Sequence, residues 1–372
     1  MRLSKILLLS TLVSFNVCAQ DIKIVGTIEH TATAPQGKSL TFVPTTKKIT
    51  LLKIELSDAG KKVLQKRAAT VITKNTKTLA ATNNVTAPSK VSLGMNNVPV
   101  LDQGSHGSCV TFANTAAIDA LLNKGDYISQ LCLLQLGSYL EKNGYASSGW
   151  NGTLGRLVLN QIEQFGVVGK DKEQSVGCGD LHAYPTTELH NPDSMMTPEQ
   201  FHQLSENVSI NAEAEIPMTW SPLLDVYQAV LERTDTNKVL NEVKKALNAN
   251  DRVTFGVLLY DADLGFMGAA GTYKSKYDTW TMTPELYRDL YLQQSFGGHE
   301  MVITGYDDNA VTTDDKGRQY KGLLTLRNSW SDKYGDQGDF YMTYDYFKIL
   351  VIEANRIRNL SDMVEQNQAN IG

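Results

Sequence analysis

The chain has 372 residues, enough to bury a sizeable core in two lobes, and its 42% hydrophobic and 20% charged content is that of an ordinary globular protein. Its formal charge of −5 hides a split: residues 20–90 carry 12 Lys and Arg against 4 Asp and Glu, whereas residues 91–372 carry 21 against 36. A body that acidic argues against a nucleic-acid partner, which needs clustered positive charge. In chain order, residues 1–19 read as a signal peptide. Arg2 and Lys5 precede a mostly apolar run from Ile6 to Phe15, and Val17-Cys18-Ala19 supplies small residues for cleavage. That run is too short to span a bilayer, and no other stretch reaches about 20 apolar residues, so no stable membrane anchor is expected. The residues before Cys18 do not form a lipobox. Export to an oxidising compartment, secreted or periplasmic, is the expected address. Asp21–Glu29, Ser39–Pro44 and Lys48–Leu56 are β-rich runs that suggest a small hairpin or meander. Ser57-Asp58 caps a predicted helix from about Ala59 to Ile72, with Val63, Leu64 and Ala68 on one face. Thr73–Lys90, rich in Thr, Asn, Ala and Lys, has no periodic apolar face and reads as a linker.

Asp102–Thr115 reads DQGSHGSCVTFANT. Gly104 and Gly107 make a turn-rich run, and Phe112, Ala113, Ala116, Ala117 and Leu121 follow at helical spacing. Cys109 therefore falls in the first turn of a helix, where free N–H groups and the macrodipole favour a thiolate. Gln103 is near enough to place its amide beside that sulfur and, with the Cys109 N–H, to stabilise a developing oxyanion. Further helices are predicted over Ser129–Lys142 and Leu154–Phe165, and one near Leu223–Leu231 within a long, Pro- and Asn-containing excursion at 179–240. Val253–Tyr260, Met301–Tyr306, Gly322–Arg327 and Asp339–Tyr344 read as strands, with Asp307–Gly322 as a hairpin tip. Once Cys18 leaves with the signal, three cysteines remain; if Cys132 and Cys178 pair, the odd thiol is Cys109. His30, His182, His190 and His202 lie in polar stretches and read as solvated surface residues. A zinc set of Cys109, Cys132, Cys178 and His106 has no supporting ligand spacing, so neither metal nor cofactor is expected.

DQG-x-x-GSC at Asp102–Cys109, GGHEMVITGYDDN at Gly297–Asn309 and LRNSWSDKYGDQGDFYM at Leu326–Met342 resemble the three active-site segments of papain-like cysteine peptidases, in that family's order Cys, His, Asn. The resemblance covers roughly Asn97 to Ile349. It implies an α+β, two-lobe fold, a helical lobe and a β-barrel-like lobe with the active-site cleft between them. It implies Cys109 as nucleophile, His299 as its general base, Asn328 as the acceptor that orients the imidazole, Gln103 as oxyanion donor and Trp330 as a shield over the His–Asn bond. His106 is a weaker, local candidate for the base. Asn151-Gly152-Thr153 resembles the Asn-Gly-Gly run whose backbone lines the family's cleft. Gly297 and Gly298 stand at the wall of its main specificity pocket and imply an open one.

The resemblance also has departures. Val110 replaces an aromatic, and Ser331 replaces a glycine. His106 and Trp150 occupy the positions of a cysteine pair, so a bridge has been replaced as a unit; Cys132–Cys178 is the disulfide expected here. His299 and Asn328 lie 190 and 219 residues beyond Cys109, where about 130–150 is usual, so material is inserted. Residues 20–90 stand where the family carries an inhibitory propeptide, as a small hairpin/helix prodomain of atypical kind, with 91–372 as the catalytic domain. The expectation is an exported, monomeric cysteine endopeptidase made as a zymogen, acting on protein or peptide substrates and inhibited by its own propeptide. The alternatives are a catalytically silent papain-fold scaffold, or an acyl-transfer enzyme using the same triad.

Overall fold

The computed structural model describes residues 22–34, 46–75, 88–211, 214–226, 235–260, 266–268, 278–290, 292 and 295–360. The expected signal peptide, the Ser39–Pro44 run, most of the linker and the second half of the helix near Leu223–Leu231 lie outside them. Apolar side chains collect into two cores, and these define the two lobes. In the first, the small and apolar positions of α2 (Cys109–Leu122), α3 (Gln130–Lys142) and α4 (Gly155–Phe165) pack together around Ala117, Leu131, Leu134, Leu159 and Ile162. α2 ends at Asn123, whose left-handed φ of 55° turns the chain out of the helix. Ser129 begins α3 by accepting the Cys132 N–H at 2.9 Å, and Cys132 in turn is bridged to Cys178, Cα to Cα 5.0 Å. The short helices α5 (Lys170–Ser175) and α6 (Pro198–His202) complete this lobe.

The second core lies on a large, mostly antiparallel sheet. Its strands are β3 (Lys90–Ser92), β4 (Val208–Ser209), β5 (Ile216–Leu224), β6 (Arg252–Leu259), β7 (Phe266–Gly268), β8 (Thr279–Trp280), β9 (Ser295–Thr313), β10 (Gln319–Arg327), β11 (Asp339–Thr343) and β12 (Val351–Asn359). They follow the order β4-β5-β12-β6-β9-β10-β11-β8-β7, with β3 on β9. β6 is buried throughout, as its unbroken VTFGVLL run dictates for a central strand. Helices α7 (Thr236–Asn248), α8 (Pro284–Asp289) and α9 (Tyr344–Leu350) flank the sheet. α7, α9 and β12 were not legible in the sequence. Leu223 and Leu224 end a strand rather than open a helix, because residues 218–224 pair with β12.

The N-terminal segment forms β1 (Ile22–Thr33), β2 (Thr46–Leu56) and α1 (Asp58–Asn75). β1 and β2 make an antiparallel hairpin, and β2 continues onto the beginning of β9, Leu52 facing Gly298 and Ile54 facing Phe296. Ile49, Leu51, Leu52, Ile54 and Leu56, with Ala68 and Val71 of α1, are buried in the same core as β6 and β9. Arg67 of α1 is also buried and donates to the carbonyls of Ile349 and Val351 at the end of α9.

Candidate active site

Cys109 is the first residue of α2, after a loop that runs back to Asp102. That loop is tied to the Asn328 loop: the Gln103 N–H donates to Ser329 O at 2.9 Å, and the Ser331 N–H to Leu101 O at 3.0 Å. Gln103 is wholly buried, and its amide is held at both ends, Nε2 donating to His106 O and Oε1 accepting from Ser329 Oγ, each at 2.8 Å. Since an amide nitrogen carries two hydrogens, the second Nε2 hydrogen remains to be given. Tyr184 Oη donates to Gln103 O at 2.9 Å and shares a 2.8 Å bond with Ser108 Oγ.

His299 sits on β9 opposite Val257 of β6 and is buried. Its Nε2 lies 2.9 Å from Asn328 Oδ1, and its ring stacks on Trp330 at 4.8 Å between centroids. Nδ1 is buried with no hydrogen-bond partner among the described residues, which leaves a proton-transfer atom unspent. The N–H of the next residue, Glu300, faces the Cys109 sulfur and favours its thiolate. The structure thus brings Cys109, His299, Asn328, Trp330 and Gln103 to one place between the lobes.

His106 does not join them. Its ring nitrogens bond Asn191 Oδ1 at 2.7 Å and Pro185 O at 3.0 Å, and its edge packs on Trp150 at 5.1 Å. The two residues at the lost-cysteine positions touch each other, with Tyr184 stacked on Trp150 at 5.6 Å. Asn151 Oδ1 accepts from Asn191, and Gly152, at φ +101°, presents its backbone to Leu52 with no room for a side chain.

Three expectations need correction. The pocket at Gly297 and Gly298 is not open: a side chain there would meet Leu51 at 2.8 Å and Ile54 at 2.7 Å, because β2 lies along both glycines. His30 is no surface residue. It is 6% exposed, stacks at 5.3 Å on Trp330, and lowers the proton affinity of His299. The β-rich runs at Asp21–Glu29 and Lys48–Leu56 signalled the hairpin, but they stop short of His30 and say nothing of what it packs on. Nor is Cys109 biased to thiolate in this state. It is 2% exposed, and burial pushes its thiol up to about 12, against the lowering effect of the Glu300 and Val110 N–H groups. Burial likewise holds the His299 imidazolium down to about 3, despite the Asn328 bond. With β1 and β2 in place, thiol and imidazole are both neutral.

A cavity of about 420 Å³ lies in the helical lobe between Tyr139, Leu140, Val158 and Phe165, and its lining includes none of the residues brought together at Cys109. No group of three or more His, Cys, Asp or Glu among the described residues could hold a metal ion.

Residues 226–364 match the model of the Peptidase C1-like family, a stretch that carries both His299 and Asn328. The match covers 139 of the 372 residues and, with the motif around Cys109, is a likeness to papain-like cysteine peptidases in a chain whose own fold is α+β. Among solved structures, xylellain, a cysteine protease from Xylella fastidiosa, is similar at 18% identity and TM-score 0.45, over 74% of this chain and 87% of that one. Procathepsin L 3 of the Tenebrio molitor larval midgut is similar at 17% and 0.44, over 75% and 72%. ProCathepsin B S9 from Trypanosoma congolense is similar at 11% and 0.45, over 74% and 78%. A comparison with curated proteins returned no match.

Proposed function

We propose that the protein is an exported cysteine endopeptidase made as a zymogen, with Cys109 as nucleophile, His299 as general base and acid, and Asn328 as the group that orients the imidazole. The observation that carries this reading is the buried His299–Asn328 bond at 2.9 Å with the other ring nitrogen left unpartnered beside the Cys109 helix. In the reaction, Nδ1 takes the thiol proton as Sγ attacks the peptide carbonyl. The oxyanion is met by the Cys109 N–H and the remaining Nε2 hydrogen of Gln103. His299 returns the proton to the leaving amine, a Cys109 thioester forms, and water activated by the same imidazole hydrolyses it. An amine in place of that water would give acyl transfer instead, through the same thioester.

Residues 20–90 act as the propeptide in this proposal, 91–372 as the catalytic domain, with residues 1–19 as the export signal. Three contacts support the first assignment: β2 adds to β9 at the two cleft glycines, Leu52 fills the space over Gly152, and His30 covers Trp330. A substrate strand would need those same backbone groups. Among the described residues no helix is long and apolar enough to cross a membrane.

The test is hydrolysis of a denatured protein by the matured chain and by Cys109→Ala. The variant should be inactive with an unfolding temperature close to that of the parent. Turnover in Cys109→Ala comparable to the parent would remove the assignment. A matured, folded parent that neither cleaves protein nor is labelled by an epoxysuccinyl inhibitor would favour the silent scaffold.

A further inference from the structure

We propose that Glu300, the residue after His299, is a neutral carboxylic acid in the folded protein and closes a hydrogen-bonded ring with Thr254 and Asn114 that positions the His299 strand against the Cys109 helix. This deepens the reading of Cys109 and His299 as the reacting pair and rests on it. The ring can be counted hydrogen by hydrogen. Asn114 Nδ2 has two hydrogens and donates them to Glu300 Oε1 at 2.8 Å and to Val110 O, in the first turn of α2, at 2.9 Å. Asn114 Oδ1 accepts the Thr254 hydroxyl at 3.0 Å. Thr254 Oγ1 also lies against the Glu300 carboxyl, and its single hydrogen is already given to Asn114. A hydrogen bond across that contact therefore needs Glu300 to supply the hydrogen. With a proton on Glu300, all three side chains are satisfied; with a carboxylate, one contact becomes two acceptors facing each other.

The surroundings leave that proton in place. Glu300 and Glu353 flank Gly256, which pairs with both, so two carboxyl groups share one face of the sheet with no side chain between them. Both are 2% exposed, and two buried carboxylates at one site do not both ionise. Glu353 is the one suited to charge. It accepts the Gly155 and Arg156 N–H groups at 2.9 and 2.8 Å, at the start of α4. Among the described residues no backbone N–H reaches the Glu300 carboxyl, and burial and the neighbouring Glu353 raise its pKa well above the usual carboxyl range. Gly155 presses on it from α4: a side chain there would lie 2.8–2.9 Å from both carboxyl oxygens. The other titratable groups nearby are Cys109 on α2, His299 on β9 itself, and, beyond Glu353, Arg156 of α4 paired with Asp225 after β5. The ring thus joins β9, β6 and α2 directly behind the two candidate reacting groups.

The experiment compares Glu300→Gln, Glu300→Ala and Thr254→Val in the full chain, and then in the matured chain. Glutamine keeps the ring, its Nε2 replacing the acid hydrogen and its Oε1 accepting from Asn114. In infrared spectra of the full chain at neutral pH, the parent should show a protonated-carboxyl band that is missing from Glu300→Gln. A raised pKa stabilises the fold fully below the unfolded value near 4.5, and that contribution is lost as pH rises through the folded value. The unfolding temperature of Glu300→Gln should therefore gain on the parent from pH 5 to pH 9. Neither readout needs activity, so both decide the protonation even if the peptidase reading fails. In the matured chain, Glu300→Ala and Thr254→Val should lower kcat about 100-fold with KM within about threefold, the scale of a misplaced reacting pair. Glu300→Gln should restore kcat to within about threefold of the parent. Absence of the band difference, or a Glu300→Gln enzyme as impaired as Glu300→Ala, overturns the proposal.

Discussion

At the scale of single residues, each side chain around Cys109 is held by a partner that can be removed separately. Gln103 is the clearest case, since Ser329 Oγ and His106 O orient its amide and leave one hydrogen for an oxyanion. Gln103→Ala should lower kcat by about 10²–10³ with little change in KM, as for other oxyanion donors. A loss confined to KM would make it a substrate-positioning residue instead. The neutral Cys109–His299 pair gives a second expectation. A thiol pushed up to about 12 is protonated at pH 7, so Cys109 in the precursor should resist iodoacetamide. Removal of residues 20–90 returns water to the sulfur and the imidazole, and the alkylation rate at pH 7 should rise by at least tenfold. Cys109 is the one free cysteine among the described residues, so the label reads this site alone once residues 1–19 are gone. Equal rates in the two forms would show that burial by the hairpin does not control the thiol.

At the scale of elements, the decisive one is β2. It joins the sheet through backbone bonds to β9 and through Leu51, Leu52 and Ile54, all buried. Leu52→Asp places a charge against Gly152 and Gly298, where it has neither water nor a partner, and such burial is costly. The precursor carrying it should mature faster than the parent, read as the half-time of the mass shift; an unchanged half-time would show that β2 is not the inhibitory element. Arg67 anchors the other end of the segment. Its guanidinium gives two hydrogen bonds to carbonyls at the end of α9, and bonds from a charged donor contribute about 1.5–3 kcal/mol. Arg67→Ala in an isolated 20–90 segment should weaken its inhibition of the matured enzyme by roughly 10- to 100-fold. The same substitution leaves the active-site residues untouched, so kcat of the matured enzyme serves as the control.

At the scale of the whole molecule, the basic N-terminal segment on an acidic body suggests docking through charge, and the structure revises the balance. One ion pair among the described residues, Lys47 with Asp102, joins residues 22–75 to the rest, whereas nine buried apolar side chains of that segment belong to the core of the sheet lobe. Salt screens the first and not the second. Raising ionic strength from 0.05 to about 0.5 M should therefore change the maturation rate by less than about threefold. A larger acceleration would return the dominant role to charge. Cutting between residues 76 and 87 would leave β2 still paired in the sheet, so in the proposed zymogen release of the segment should be needed as well as the cut. A nicked but undissociated complex, with the segment retained on gel filtration and no activity, is the expected intermediate.

What the sequence determined by itself was local. The turn before Cys109, the helix it opens, the buried strand VTFGVLL, and the His299 and Asn328 motifs are written in runs of a few residues, where periodicity and turn chemistry act without help from elsewhere. The Cys132–Cys178 pairing was the one left once the resemblance reserved Cys109 as the free thiol, and the bridge read as replaced as a unit is a His106–Trp150 ring contact. The tertiary structure alone decided the rest, because it depends on neighbours distant in the chain. β2 finds β9 across some 240 residues, and only that pairing closes Gly297 and Gly298 and buries His30 against Trp330. The thiol at a helix start is favoured as thiolate by its own N–H groups, yet desolvation by other elements outweighs them. β12 and α9 carry no motif; they are strand and helix because β5, β6 and α1 pack on them. Nothing in the sequence marks Glu300; it is buried where Gly256 and Gly155, far away in the chain, leave the space it fills.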